Sequence, residues 1–473
     1  MKKVDFEKGT ITGNILQTAM PMMVAQIITL LYNIVDRIYI GRIPIIGTEA
    51  LGAVGLCFPI IILISAFTNM FGVGGAPLFS VHMGRGDRKN AGVIMNSSFR
   101  LLVVAAVILT LVCEIGAPQI LLLFGATSDS LVFSVPYIRI YLIGTICSMV
   151  VTGMNPFINA QGYSVIGMIT VTIGAVCNIV LDPLLMFYMG LGVNGAAIAT
   201  VISQILSFVF VLRFLLGPKN EFPISREMLL TRERTEAEKQ GDHVSSKQTI
   251  SAPILYVKEI VGLGTAPFVM QFTNAAVNIV CNAMLTRTGG VLYVSVMTII
   301  SSVRQILDTP VHAIAEGSTP CISYNYGAGR PDRVRKAMAI MSGMAICYTL
   351  LVWIFIEKQP VLLLSIFSDN KELQQMSLRP LHLYFLAFIF QSFQYSAQTV
   401  FKALNKKRQA VFFSIFRKII LVVPLTILLP GVFGFGTEGV FMAEPISNVV
   451  GGCASMGTML LTVLPELKRM ERE

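Results

Sequence analysis

Residues 140–212 read IYLIGTICSMVVTGMNPFINAQGYSVIGMITVTIGAVCNIVLDPLLMFYMGLGVNGAAIATVISQILSFVFVL, and between Arg139 and Arg213 the one formal charge is Asp182. An α-helix rises 1.5 Å per residue and needs roughly 20 apolar residues to cross the hydrocarbon of a bilayer. This run is long enough for several crossings, and Gly, Pro and Asn punctuate it as turns would. Two further runs have the same character: Ala50–Gly84 carries no Lys, Arg, Asp or Glu, and Pro380–Phe401 holds only His382. Barrel strands would instead alternate in polarity over about 10 residues, and no such alternation is present. Composition agrees, with 54% of residues hydrophobic and 13% charged, where a soluble domain carries about 25% charged residues. The chain requires a lipid bilayer as partner. A cytosolic enzyme, a disordered chain and a secreted disulfide scaffold are excluded.

Twelve spans are predicted, at about 14–40, 50–81, 93–123, 131–158, 165–188, 191–215, 256–285, 291–324, 335–367, 379–402, 409–430 and 438–464. The first apolar run is too long for the core of a cleavable signal peptide. The fold class is all-α integral membrane. An even number of spans puts both ends on one side. Lys and Arg number 24 in the segments assigned to that side and five in the others (Arg42, Arg287, Lys358, Lys371, Arg379). Basic residues accumulate on the cytoplasmic face, so both termini are expected there, in a multi-pass protein of the cell membrane. The net charge of +10 belongs to this pattern. It is not gathered on one face, as nucleic-acid binding requires, and no nucleic-acid partner is expected. The eight Cys contain no CxxC pair, and most lie in apolar runs as small buried thiols.

Segment 217–255 is dense in charge and divides the chain nearly in half. It reads as a solvated cytoplasmic connector, giving an N-lobe of residues 1–216, a linker of 217–255 and a C-lobe of 256–473. The halves repeat. GLGVNGAAIATVIS (190–203) matches GFGTEGVFMAEPIS (434–447), HMGRGDRKNA (82–91) matches NYGAGRPDRVRKA (325–337), and LYNIVD (31–36) matches VNIVCN (277–282), in one order and at nearly one offset. Six spans plus six, in parallel, is an organisation of secondary transporters, with the site placed between the repeats.

The stretches PMMVAQIITLLYNIVDRIYIGR, MNPFINAQG, CNIVLDPLLMF, GLGVNGAAIATVISQ and SYNYGAGRPDRVRKA, taken in order on a 6+6 chain, resemble the MATE (multidrug and toxic compound extrusion) family, in its MepA-like bacterial branch. The resemblance covers about Ile11 to Leu464. It implies two pseudo-symmetric six-helix bundles around a central cavity, and export of amphipathic organic cations in exchange for Na⁺ or H⁺. No cofactor beyond that coupling ion is implied, and a monomer is expected. A lipid-linked oligosaccharide flippase of the same superfamily is the alternative. It would need a larger basic groove, and the intramembrane Arg are few (Arg37, Arg100, Arg139, Arg304). No HExxH, P-loop, nucleophile elbow or CxxC signature points to an enzyme.

An ionisable group inside a membrane helix marks function by default. Asp36 falls roughly 31 Å and Asp182 roughly 26 Å along their helices, so both reach the outer half of the N-lobe. Asn178 precedes Asp182 by four residues and shares its face, and Thr200 descends to the same level. These hard oxygen donors suit a small hard cation or two carboxylates sharing a proton. The resemblance gives positions matching Asp36, Asn178, Asp182 and Thr200 the cation site, as ligands if the ion is Na⁺, and places Tyr32, Tyr137 and Asn155 on the same cavity. The competing structural reading makes Asp36 and Asp182 a structural cap or a pair with an Arg such as Arg37. The second half offers no acids opposite Asp36 (Cys281 or Asn282) or Asp182 (Pro424 or Leu425), an asymmetry that duplicated packing does not require.

In the C-lobe, Arg304, Asp308, His312 and Glu316 repeat every four residues along one face. This is either a proton relay or substrate strip, or an ion-pair ladder of Arg304 with Asp308 and His312 with Glu316. Gln271, Asn274, Asn278 and Asn282, with Gln391, Gln394 and Gln398, form neutral stripes that fit a wet cavity wall. Branches with a C-lobe Na⁺ site carry a Glu where Asn274 and Ala275 stand here, so that site is expected to be absent. Asn159 replaces the Arg usual after the MNPFI stretch. Pro21 and Pro183 each remove a backbone donor near the carboxylates and are candidate hinges.

Overall fold

The structure is a computed structural model that describes residues 3–44, 47–222, 224, 252–367 and 370–472. Most of the expected linker, 225–251, lies outside the described residues. Among the described residues the architecture is helical, without strands. In hydrocarbon a chain must satisfy its N–H and C=O groups internally, and a helix does so within one segment.

Among the described residues nine helices are long and apolar enough to cross a membrane, and a tenth span comes from Ser128–Ile143 and Thr145–Ala160, bent by 56° at Gly144. The other two expected spans are helical too, as Val291–Gly327 and as Lys371–Phe385 followed by Phe388–Ala403. They are more polar, the first because it carries the Arg304–Glu316 face.

The duplication is visible in the element bounds. Arg88–Leu123, Ser128–Ile143, Thr145–Ala160 and Ser164–Pro183 begin 243 residues before Pro331–Lys358, Lys371–Phe385, Phe388–Ala403 and Lys407–Ile415, and Gly192–Leu215 begins 244 before Gly436–Met470. Backbone requirements repeat with them. Gly162 has φ 87°, and at the matching turn Asn405 has φ 58°, the one described non-glycine in that region; Asn tolerates it better than most residues. Gly195 lies so close to the Leu185–Met186 backbone that a Cβ would stand 2.8 Å from the Leu185 carbonyl carbon, and Gly439 stands in the same relation to Leu429 and Pro430. Small residues at such crossings let membrane helices approach closely.

By contacts the chain divides at residues 27/28 and 265/266. One unit is Ile28–Thr265, and the other is Met1–Ile27 with Ala266–Glu473. The helix Ile11–Gly41 therefore contributes its first turns to the second unit. The sequence motif 325–337 explains this. Asn325 Nδ2 donates to the Phe6 carbonyl (3.2 Å), Arg333 donates to the Phe6 and Gly9 carbonyls, and Arg330 pairs with Glu7 at 3.0 Å. Arg333 Nε is itself held by Asn325 Oδ1 at 2.8 Å. The counterpart motif 82–91 instead caps its own helix: Asp87 accepts from the Asn90 backbone and side chain and contacts His82.

Candidate functional site

In the unit Ile28–Thr265, Asp182 ends the α-helix Ser164–Pro183. Pro183 cannot donate to the helical ladder, and the next five residues, Leu184–Tyr188, form a π-helical turn. Such turns interrupt helices at functional positions. One turn before Asp182, Asn178 donates through Nδ2 to Asp182 Oδ1 (3.2 Å) and to Thr200 Oγ1 (3.3 Å). Thr200 in turn donates to the Ala196 carbonyl at 3.0 Å, which leaves its oxygen lone pairs toward the amide. Asp182 is fully buried and Asn178 is 3% exposed. Asp36 is half-buried and close enough to Asp182 for their charges to interact; Tyr32 lies within the same range.

Three oxygens of this group, Asp36 Oδ1, Asn178 Oδ1 and Asp182 Oδ2, are buried and accept no hydrogen bond. Leaving such atoms unpaired in a low-dielectric interior costs free energy, and a bound cation or a proton removes that cost. Arg37 forms no close ion pair with Asp36: its guanidinium lies 4.8 Å from the Phe58 ring centroid, within electrostatic range of the carboxylate. Of the neighbours expected here, Tyr137 is buried and stacks on Tyr141, and Asn155 donates to the Gly167 carbonyl at 3.2 Å. Asn159 Oδ1 is buried without a partner.

The other unit holds a cavity of about 460 Å³, lined by residues from Ala266 to Glu444. Asn274, Asn278, Asp308, His312, Glu316, Gln394 and Gln398 all line it. Gln271, Asn282 and Gln391 do not, although Gln391 donates to Asp308 at 3.0 and 3.1 Å. Of the two readings of the Arg304–Glu316 face, the ion-pair ladder forms in its first rung only. Arg304 pairs with Asp308 at 3.2 Å, but His312 packs on the Tyr395 ring (centroids 4.3 Å apart) and Glu316 accepts from Gln26 at 3.4 Å. The i to i+4 spacing permits both pairs; the aromatic and the amide on neighbouring helices took the second.

The centre of this cavity was not foreseen. Glu444, 4% exposed, receives Arg304 at 2.6 Å, Arg417 at 2.9 Å and Lys418 at 3.3 Å. Arg304 also donates to Tyr384 Oη (2.5 Å), and Arg417 to Asn448 (2.7 Å). Arg417 and Lys418 reach one carboxylate from adjacent positions because they stand on a second π-helical segment, Phe416–Val422, whose wider turn brings consecutive side chains nearer to one face. Arg417 thus joins Arg37, Arg100, Arg139 and Arg304 as an intramembrane Arg. Both basic residues interrupt the predicted span 409–430, which is the signal that would have found them. Pro21 lies within an uninterrupted helix, Ile11–Gly41.

A family model described as MatE matches residues 21–184 and 267–428. The chain belongs to the MatE family. Relatives include the Multidrug export protein MepA of Staphylococcus saprophyticus, 22% identical over 95% of this chain and 94% of that protein, and MepA of Staphylococcus aureus strain MSSA476, with the same identity and coverage. The fold matches a structure described as the outward-facing conformation of a multidrug resistance MATE family transporter of the MOP superfamily, at a TM-score of 0.87 and 20% identity, over 100% of this chain and 99% of that one. The MATE fold is twelve-helical, and the spans assigned above account for twelve. The two matched stretches end at Leu184 and Leu428, so in each repeat the MATE match runs through the helix that carries the π-helical turn.

Proposed function

We propose that this MATE protein is a secondary multidrug exporter in which Asp36, Asn178, Asp182 and Thr200 hold the coupling ion, Na⁺ or H⁺, and that entry of the ion is exchanged for outward release of an amphipathic organic cation. The observation that carries the reading is the set of three unpartnered buried oxygens around Asp182. The donors are all hard oxygens, which fits Na⁺, and two carboxylates within reach of each other fit a shared proton equally well. Tyr32, Tyr137 and Asn155 form the surroundings of the site in this reading. A ligand shifts a two-state equilibrium only by its differential affinity for the two states. An inorganic cation and an organic one that compete for one anionic site provide that difference. The exporter names of the MepA relatives support the transport direction.

The distribution of Lys and Arg supports placing both termini in the cytoplasm. The flippase alternative gains the basic residues of the second cavity, but three carboxylates stand among them, which disfavours a pyrophosphate. Proteoliposome uptake of a fluorescent organic cation, with pH and Na⁺ gradients imposed separately, tests the proposal. One gradient drives uptake in the parent, and Asp36→Asn or Asp182→Asn abolishes it. Undiminished uptake in both variants discards the site, and movement of a lipid-linked sugar with no cation transport promotes the flippase.

A further inference from the structure

From Asp182 a line of small and polar residues descends the helix Ser164–Pro183 toward the end that the Lys and Arg distribution assigns to the cytoplasm. Asn178, Gly174, Thr170, Gly167 and Ser164 follow Asp182 in steps of four and three, and so keep to one face over about 27 Å. Neighbouring helices supply the other wall. On Gly192–Leu215, Thr200 meets Asn178, Ser203 stands one turn further, and Ser207 Oγ donates to the Thr170 carbonyl at 3.0 Å. The Thr170 hydroxyl donates to the Ile166 carbonyl at 2.9 Å. On Thr145–Ala160, Asn155 Nδ2 donates to the Gly167 carbonyl, with Asn159 one turn beyond.

This seam is polar beyond what its own contacts satisfy. Ser203 Oγ and Ser164 Oγ are buried and make no hydrogen bond among the described residues, and Asn159 Oδ1 accepts none. The three residues are 4%, 2% and 5% exposed. With the free oxygens of Asp182 and Asn178, they mark the head, the middle and the foot of the seam. Buried polar groups left in this way are served by single waters. The seam is also narrow. A Cβ on Gly174 would stand 2.7 Å from Ser207 Oγ, and one on Gly167 would stand 2.3 Å from Asn155 Oδ1 and 2.8 Å from Asn159 Oδ1. A passage with no room for a methyl group does not pass a metal ion with its hydration water. The second repeat has no such seam. The positions 243 residues after Asp182, Asn178, Gly174, Thr170 and Gly167 are Leu425, Leu421, Arg417, Phe413 and Ala410. Duplicated packing therefore does not account for it.

We propose that the coupling ion is H⁺ and that it leaves the Asp36–Asp182 site for the cytoplasm through this seam, inside the unit Ile28–Thr265, by way of Ser203, Ser207 and Thr170 and then past Asn159 and Ser164. The inference rests on the transporter reading above and deepens it by naming the ion and its exit. A hydroxyl both accepts and donates. It takes a proton on a lone pair as its own proton passes on, so only O–H bonds form and break, and the carboxylate that released the proton is left ionised for an organic cation. Asn178 closes the head of the seam. Its amide stands between Asp182 and Thr200 and does not hand on a proton as a hydroxyl does, so the route conducts only when that amide moves aside.

Proteoliposomes of the full-length protein test this with ethidium as the probe, read in two modes. Uptake driven by a pH gradient needs net proton release. Exchange of labelled for unlabelled ethidium at equal pH needs only the loaded protein to change state. Thr170→Val combined with Ser203→Ala is expected to slow the driven uptake by about tenfold or more, as loss of positioned proton-transfer groups does, and to leave the exchange at the parental rate. Thr170→Ser, which keeps a hydroxyl, retains both. Driven uptake at the parental rate in the double variant overturns the proposal. So does equal slowing of the two modes by the pair and by Ser203→Ala alone, since that hydroxyl has no protein partner to lose and its removal would then act through packing. Uptake driven by a Na⁺ gradient and indifferent to pH overturns it as well. In each of these cases the parent still transports ethidium, whereas failure of the exporter reading removes driven uptake and exchange from the parent itself.

Discussion

At the scale of single residues, the clustering of Asp36, Asn178, Asp182 and Thr200 was legible because a membrane makes charge conspicuous. Asp182 is the one charge between Arg139 and Arg213, and the step of four to Asn178 fixes a shared face. The structure adds which oxygens remain unpartnered, and spacing alone cannot give that. The C-lobe cluster escaped for a complementary reason. Glu444 stands opposite Thr200, a neutral residue, so the comparison of acids opposite Asp36 and Asp182 does not reveal it. Three cations converging on Glu444 make it a structural keystone: removing one partner of a buried pair leaves the others uncompensated, at a cost of about 3–5 kcal/mol. Glu444→Leu is expected to lower the thermal unfolding midpoint in detergent sharply, and an unchanged midpoint would show that the cluster is compensated in another way. Outside the membrane, Asp87 caps the helix Arg88–Leu123. The Asn90 amide, assisted by the Asn90 backbone and His82, holds its carboxyl below the usual range. The folded-state value being the lower one, the cap contributes fully above about pH 4 and loses its contribution as pH falls through the depressed value. Asp87→Ala is expected to cost about 1 kcal/mol at neutral pH and little in strong acid, measured as unfolding midpoints at both pH values.

At the scale of elements, turn chemistry and hydrophobic length located nearly every helix, since both are local properties. The π-helical turns at Leu184–Tyr188 and Phe416–Val422 were not legible, because an inserted turn leaves no mark on an apolar run. Each stands beside a charged centre: the first follows Asp182, and the second carries Arg417 and Lys418. The close crossings at Gly195 and Gly439 are a second shared device. A Cβ there would meet backbone, which cannot rotate away, so Gly195→Ala or Gly439→Ala is expected to destabilise the protein by about 1–3 kcal/mol. Tolerance of both by the unfolding midpoint would contradict the packing described. The hinge idea is tested here as well. Pro21 sits inside a continuous helix that bears Asp36, and Pro21→Ala is expected to slow transport while leaving ion binding in place; parental transport rates remove the hinge.

At the scale of the whole molecule, the duplication, the number of spans and the family were readable from sequence. Matches of six to fourteen residues, in one order and at nearly one offset, carry long-range information that composition does not. The grouping of Met1–Ile27 with Ala266–Glu473 was not readable, since it depends on Asn325, Arg330 and Arg333 finding the carbonyls and carboxylate of residues 6–9. The expected topology has its own check. With the native cysteines replaced, Lys3→Cys and Arg472→Cys should escape a membrane-impermeant maleimide in intact cells and react after permeabilisation; labelling of either from outside reverses the orientation.

In the proposed mechanism the anionic site of Asp36 and Asp182 is the place where ion and substrate exclude each other. Equilibrium binding of a fluorescent organic cation to the purified protein in nanodiscs, titrated with Na⁺ at constant pH and then with H⁺ in its absence, measures that exclusion directly. The parent should release the dye as one of the two ions rises, and Asp182→Asn should hold it without regard to either. Release that proceeds identically in the parent and in Asp182→Asn would contradict the account.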